Sequence, residues 1–434
     1  MKRRETQDRE LKHVAEWRNW SGSVVAQASA IEKPRTEAEL QRLVAAARKV
    51  RVAGAGHSFM PICATDGLLL SLLDLEVALE VAEDRRTVWV PAGWPIGKLT
   101  DALWALGFSL INQGDINKQA IAGAVSTATH GTGRTLGSLA TAAEGFRLVL
   151  ADGSVVECDR EREPDLFQAA RVSLGMLGVV TRIKLKVLPA YRLKETLWRQ
   201  SLASALAEWD QLADSHRHIE FFHFPYSEHV NMKTLDVVEA GDSPDPGEFE
   251  DTVFQAVCDL VTVWPRTAPT LQRMLTRAIR GSERAGPAGR IFPSERNVKF
   301  EEMEYEIPAA NGPAALKEAM NLVRDKRWPI IFPFEFRTVA ADDIWLSPMS
   351  GTACVSISFH QYAKMDWKTP FAGVEKVFQA AGGRPHWAKR HTLTSADVLR
   401  LYPDAPKFGA VRKRIDPGGK FLNDHLSELF AFSL

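Results

Sequence analysis

The chain holds only four cysteines, Cys63, Cys158, Cys258 and Cys354. No two of them stand at a metal-chelating spacing, and four scattered thiols make no disulfide framework. Reduced thiols in the cytoplasm are the expectation. Charge of one sign is also lacking: Lys+Arg and Asp+Glu number 54 each, with no long basic run. That argues against nucleic acid or an anionic bilayer as the main partner. No stretch of about 18 apolar residues is available to span a membrane. Met1-Lys2-Arg3-Arg4 leads into charged residues rather than into the apolar core of a signal peptide. The rest is ordinary for a globular protein: 434 residues, 45% hydrophobic and 25% charged, enough for two or more domains.

One glycine is missing where a dinucleotide fingerprint would need it. A strand start at Val50 and Val52 runs into Gly54 and Gly56, but the position three residues further on is Phe59. What remains, Gly54-Ala55-Gly56, is either a plain strand-ending turn or a turn tight enough for its N–H groups to cradle a phosphate. His57 and Ser58 follow at once, which sets an imidazole beside that turn. A longer run of small residues extends from Asn112 to Gly133 and includes Gly114, Asp115, Gly123, Ser126, Thr127, Thr129 and Gly131. Such a run lets backbone approach a flat ligand closely; His130 within it reads as a satisfied core histidine. A third close-approach loop covers Ser173 to Val180, with Gly175, Gly178 and Val179.

Around these loops the pattern alternates helix and strand, as in a mixed α/β domain. Thr36 and Glu39 form a capping box ahead of Leu40, Leu43, Val44 and Ala47 at helical spacing. Ile96 to Leu106 is a second amphipathic helix, and Asp152-Gly153 turns a hairpin. Residues 1–16 read as a frayed terminus, Ala240 to Glu250 as a loop, and Arg280 to Ser294 as a mobile segment. His216, His218 and His223 lie on or beside a strand, a context that favours ordinary core histidines over a metal site.

Chemistry concentrates in the last third. In Ile330 to Val339, alternation puts Glu335 and Arg337 on one side and Phe334 and Phe336 on the other. Val355 to His360 alternates likewise, with Ser356, Ser358 and His360 on its polar side. The two strands could line a hydrophilic pocket, or form a surface sheet with an ordinary ion pair. Further on comes Gly383-Arg384-Pro385-His386-Trp387-Ala388-Lys389, and the chain closes with Asp416-Pro417-Gly418-Gly419-Lys420-Phe421-Leu422-Asn423.

The loop Gly54-Ala55-Gly56-His57-Ser58-Phe59 resembles the flavin loop of vanillyl-alcohol-oxidase-type flavoproteins, within them the aldonolactone oxidase and alditol oxidase branch. The resemblance runs from about residue 17 to the end. It implies an α+β protein: a two-part FAD-binding domain over 1–190, rejoined by 391–434, around a substrate domain over 191–390 with a central antiparallel sheet. FAD is the implied cofactor, held covalently through His57 and contacted by the three small-residue loops, by Lys389 and by Asn423. Trp17 to Gly22 would pack near the adenine end or serve as core anchors. Glu335 and Arg337 match a Glu-x-Arg pair that faces substrate; Lys389 would stabilise the reduced flavin. His360 stands where alditol oxidases carry a small hydroxyl residue. The implied reaction is oxidation of a carbinol by hydride transfer to flavin N5, on an aldono-1,4-lactone of gulono, galactono or arabinono type. An alditol such as xylitol or sorbitol is the alternative, suggested by Thr338 to Pro348. Dioxygen or another carrier would reoxidise the flavin. No metal is implied.

Overall fold

A computed structural model describes residues 14–243, 249–278, 281–294 and 297–433. The strand Val50–Val52 pairs with Leu68–Leu70, which pairs on its other side with Ala30–Glu32, all parallel. The helix Glu37–Ala46 packs Leu40 and Val44 onto this sheet. Its start is fixed by half of the expected capping box: the Thr36 side chain accepts from Glu39 N, while the Glu39 carboxylate accepts from Arg35 N at 2.9 Å, one residue before the cap. A second sheet places Val155–Asp159, Ala143–Val149, Val179–Pro189, Thr87–Pro91 and Glu80–Val81 side by side, with Phe108–Leu110 also on Val179–Pro189. The first two form the Asp-Gly hairpin, with Gly153 at φ +85°.

The largest sheet has eight antiparallel strands, all between Arg192 and Pro385. Their order is Ser282–Pro287, Arg192–Ser201, His229–Val238, His218–His223, Phe334–Val339, Cys354–Tyr362, Phe300–Pro308 and Arg384–Pro385. One face is a hydrophobic core: Phe221, Phe334, Phe336, Ile357, Phe359, Met303 and Tyr305 pack under the helices Gly312–Asp325 and Lys368–Ala380. The Phe221–Phe336 and Phe334–Phe359 rings each stack at 4.7 Å. Burying each such side chain contributes about 1.5–3 kcal/mol.

The opposite face is charged and equally buried. Register places Glu220 beside Arg337, Glu335 beside Ser358, and Glu304 beside Ser358. Buried charges demand partners and a cover. The small-residue loop covers this face: Gly133 N donates to Thr338 O at 2.8 Å, and His218 Nδ1 meets Thr132 O at 2.7 Å. The end of the chain packs back onto the second sheet, with Phe408, Val411, Leu426 and Phe430 in one cluster with Phe146 and Phe167.

Three expectations change. Ala15–Arg18 is a strand paired with Val25–Ala28, so order reaches into the segment read as frayed; residues 1–13 lie outside the described residues. Ser282–Pro287 is an edge strand on Arg192–Ser201, followed by the helical turn Ala288–Ile291, because main-chain pairing overrides the loop-like composition; Arg280 lies outside the described residues. A helix already begins at Phe249 within the stretch read as a loop, of which 244–248 are not described. No helix among the described residues is long and apolar enough to cross a membrane.

Candidate active site

Two adjoining cavities share Gln119, one among the glycine loops and one between the loop Asn112–Gly133 and the charged sheet face. The larger, of about 260 Å³, is lined by Gly54 to Ser58, Gly123, Ser126, Thr127, Gly175 and Gly178. Small residues are obligatory here. A Cβ on Gly54 would meet the Ala120 Cβ at 2.7 Å, and Gly56 and Gly175 hold φ of +71° and +69°. Gly123, by contrast, has nothing within 4 Å of its missing Cβ, although it sits in the helix Ile121–Ser126. Its bare side faces the cavity. Gln119 lines both cavities, and its buried Oε1 has no hydrogen-bond partner among the described residues. A glycine-lined slot with an orphan acceptor at its end fits a flat ring carrying N–H groups, as FAD does.

His57 lies on this cavity with Trp20 stacked on its ring, centroids 5.2 Å apart and planes 27° from parallel. Burial, with Lys389 adding to it against Glu302, pushes its pKa down to about 4, so the imidazole is neutral and its lone pair available. The Trp17 to Gly22 segment therefore sits beside the candidate tether, whereas the resemblance implies the adenine end.

The smaller cavity, of about 50 Å³, is lined by Gly114, Asp115, Thr129 and His130 from the loop and by Glu302, Glu304, Glu335, Arg337, His360 and Lys389 from the other side. Arg337 is its centre. The guanidinium meets Glu335 at 2.7 Å, Glu220 at 2.7 Å and Asp115 at 2.6 Å. Burial opposes its charge, and these three carboxylates more than restore it, so the pKa lies well above the usual arginine value. Lys233 supports Glu220 from behind at 3.0 Å. The surface-sheet alternative is thereby excluded: Glu335 and Arg337 are 6% and 7% exposed.

Lys389 contacts Glu302 and stands 3.6 Å from Glu304. His360 Nε2 lies 3.3 Å from the other Glu302 oxygen. Burial works against Glu302, yet Lys389 and His360 hold its carboxyl down at about 2. His130 is more than a satisfied core histidine. Its Nε2 sits 3.2 Å from Glu304 and 3.0 Å from Glu306. Burial disfavours the charge, but the two carboxylates push its pKa up to about 10, while burial lifts Glu306 to about 7.

Of the residues expected to touch a cofactor, Asp115 instead bonds Arg337, and Gly114 and Thr129 line the smaller cavity. Gly131, Val179 and Asn423 line neither. Gly131 is needed because a Cβ would meet Gln113 O at 2.2 Å; Val179 is core, paired with Val149. The Asn423 amide donates to the carbonyls of Pro61, Ile62 and Ala64, and its oxygen caps the helix Asp424–Leu429. It shapes the loop after Ser58 rather than reaching the cavity. Glu220, Glu302, Glu304 and Glu306 were not anticipated. The strand Phe300–Pro308 carried the signal for three of them, since its glutamates alternate with Met303, Tyr305 and Ile307.

Comparison with known proteins agrees with this architecture. Residues 28–159 match the FAD binding domain family, and residues 183–429 match the D-arabinono-1,4-lactone oxidase family. An L-gulono-1,4-lactone dehydrogenase of Mycobacterium tuberculosis is 39% identical over 420 residues, covering 94% of this chain and 97% of its own. An alditol oxidase of a Streptomyces species is 31% identical over 419 residues, covering 95% and 98%. A solvent-stable cholesterol oxidase has the same fold, with a TM-score of 0.82 at 16% identity over 96% of this chain and 97% of that one. With Gly54, Gly56 and Gly123 of the glycine slot inside one matched region and the Glu335–Arg337 and Lys389 cluster inside the other, the chain belongs to the D-arabinono-1,4-lactone oxidase family of FAD-dependent sugar-lactone oxidoreductases.

Proposed function

We propose that the protein oxidises an aldono-1,4-lactone of the gulono, galactono or arabinono type, with FAD tethered to His57. The observation that carries this reading is the buried Glu335–Arg337 pair, 2.7 Å apart, beside Lys389 in a cavity that adjoins the glycine-lined slot. Bound FAD supplies the hydride acceptor. The chain supplies position, charge and a place for the proton. Glu335 takes the proton of the carbinol hydroxyl at a carboxylate oxygen. Arg337, fixed by Asp115 and Glu220, orients hydroxyl and ring oxygens. Lys389 brings a buried positive charge to the wall where negative charge develops. His57 is suited to bonding the methyl carbon of the flavin ring through a ring nitrogen because it is uncharged and pinned by Trp20. The polar lining of the charged cavity, with Glu335, Arg337, His360 and Lys389, matches the hydroxyl and ring oxygens of a sugar lactone.

The test mixes purified protein anaerobically with L-gulono-, L-galactono- and D-arabinono-1,4-lactone and with xylitol, following bleaching of the flavin band. Fast bleaching by a lactone is expected. Bleaching by xylitol alone would shift the reading to the alditol alternative; a colourless protein would refute both.

A further inference from the structure

Adjacent residues of the strand Phe300–Pro308 grip adjacent residues of the segment that carries Lys389. The main chains run alongside each other: His386 N donates to Glu304 O at 3.0 Å, and Arg390 N to Glu302 O at 2.8 Å. Successive side chains of a strand leave on opposite faces. Glu301 accordingly holds Arg390 Nε at 2.8 Å on one face, while Glu302 holds the Lys389 ammonium on the other. The second Glu302 oxygen faces His360 Nε2 at 3.3 Å. A lysine is a point charge on a flexible four-carbon stem, so the groups around its end must choose the rotamer. The clasp does so.

We infer that Glu302 is the positioning residue of this site: it fixes the Lys389 ammonium at the cavity, keeps it charged, and couples it to His360. This rests on the reading of Lys389 as the cation that serves the reduced flavin. Other groups also face Lys389. Glu304 lies 3.6 Å away with His130 behind it, and Glu335 acts on it from the neighbouring part of the sheet. His57 and His386 face it from the glycine loop and from its own segment, and both are kept neutral by burial. Of the two glutamates paired with the ammonium, Glu302 is the nearer.

The experiment is the midpoint potential of the flavin-loaded protein against pH, titrated with dithionite and indicator dyes in the absence of any sugar. A group that interacts with the reduced ring produces a break in slope where it loses its proton. Glu302→Gln keeps the shape and removes the charge, so the Lys389 break should move roughly 1–3 pH units lower than in the native protein. The double variant Glu302→Gln/Lys389→Arg should lose the break that Glu302→Gln moved, because a guanidinium stays charged. Glu302→Asp should keep the native profile in part, which a merely structural defect would not do. A Glu302→Gln profile that overlays the native one overturns the inference, as does a moved break that persists in the double variant. Should Glu302→Gln fail to hold flavin, Glu304→Gln must move the break in the same direction by less, and an overlay there is equally fatal. No lactone enters the measurement. A failed substrate panel therefore leaves the clasp standing, and an active lactone oxidase with an unmoved profile refutes the clasp alone.

Discussion

Removing Arg337 should do more harm than removing Glu335, and the second change should partly repair the first. Arg337→Met deletes the cation shared by Glu335, Glu220 and Asp115, at 2.7, 2.7 and 2.6 Å, in a place where the arginine is 7% exposed. Taking one member from a buried ion pair costs about 3–5 kcal/mol, most of it the expense of negative charge held away from water. Glu220 keeps Lys233 at 3.0 Å, which limits the loss. Glu335→Gln is milder. The amide keeps the shape, and Arg337 retains two carboxylates, so about 0.5–1.5 kcal/mol is expected, the worth of one hydrogen bond. In the Arg337→Met background the sign should reverse: Glu335→Gln then removes a charge with no guanidinium beside it and regains stability. The assay is urea unfolding followed by tryptophan fluorescence, for which the chain has 12 tryptophans, with midpoints compared at a common slope. The deficit of Arg337→Met should also narrow as pH falls, because a buried carboxylate without its cation takes up a proton more readily. An Arg337→Met midpoint equal to the native one, or equal costs of Glu335→Gln in both backgrounds, would show that the cluster is not held by this cation.

Lys389→Met should slow flavin reduction by about 10²–10³ while changing substrate affinity far less, the signature of a charge that acts on the transition state; a stopped-flow rate within a factor of about two of native rules that out. His57→Ala should release its flavin on acid precipitation, whereas the native protein keeps its yellow colour in the pellet; since His57 titrates at about 4, attachment to apoprotein should be pH-independent from about pH 5 to 8. Gly123→Ala should fold normally and bind FAD more weakly, because its new methyl group projects into the slot, while Gly131→Ala should fail to accumulate, because Gln113 O lies 2.2 Å from its Cβ; equal behaviour of the two in a thermal-shift and flavin-binding comparison would contradict the geometry. His130 has a folded pKa of about 10, above its ordinary 6.5, so its stabilisation is complete below about pH 6.5 and lost as pH rises through 10. His130→Asn should flatten the decline of stability across that window, and an unchanged slope would argue against a charged His130.

The two strands that bear Glu335, Arg337 and His360 were legible because period-two alternation survives in the sequence whatever lies above the sheet. The glycine turn was legible too, since Gly54 is crowded by Ala120 and Gly56 holds a positive φ, so the bare residue is required at both. What could not be read was which polar face is buried. Glu302, Glu304 and Glu306 on a strand look like a wet face until Lys389 and His130, distant in sequence, arrive to neutralise them. Asp115 looked like a cofactor ligand because its neighbours are small, yet its partner is an arginine 222 residues away. Asn423 misled for the opposite reason: its work is local, a helix cap plus three carbonyls, and no spacing rule separates a cap from a contact. Ser282–Pro287 became a strand through pairing with Arg192–Ser201, a cause that composition does not contain.

The cover that the loop Asn112–Gly133 provides over the charged sheet also bears on how this fold can be recombined. Countercharges are encoded on both sides of the seam: Asp115 and His130 on the loop, Arg337, Glu304 and Glu306 on the sheet. A chimaera that took only the substrate half from a relative would keep this cover only where the incoming sheet carries the same countercharges, and a mismatch would be penalised electrostatically rather than sterically. In such a chimaera the sheet and the loop that covers it would have to be chosen together, although a cut near residue 190 would separate them.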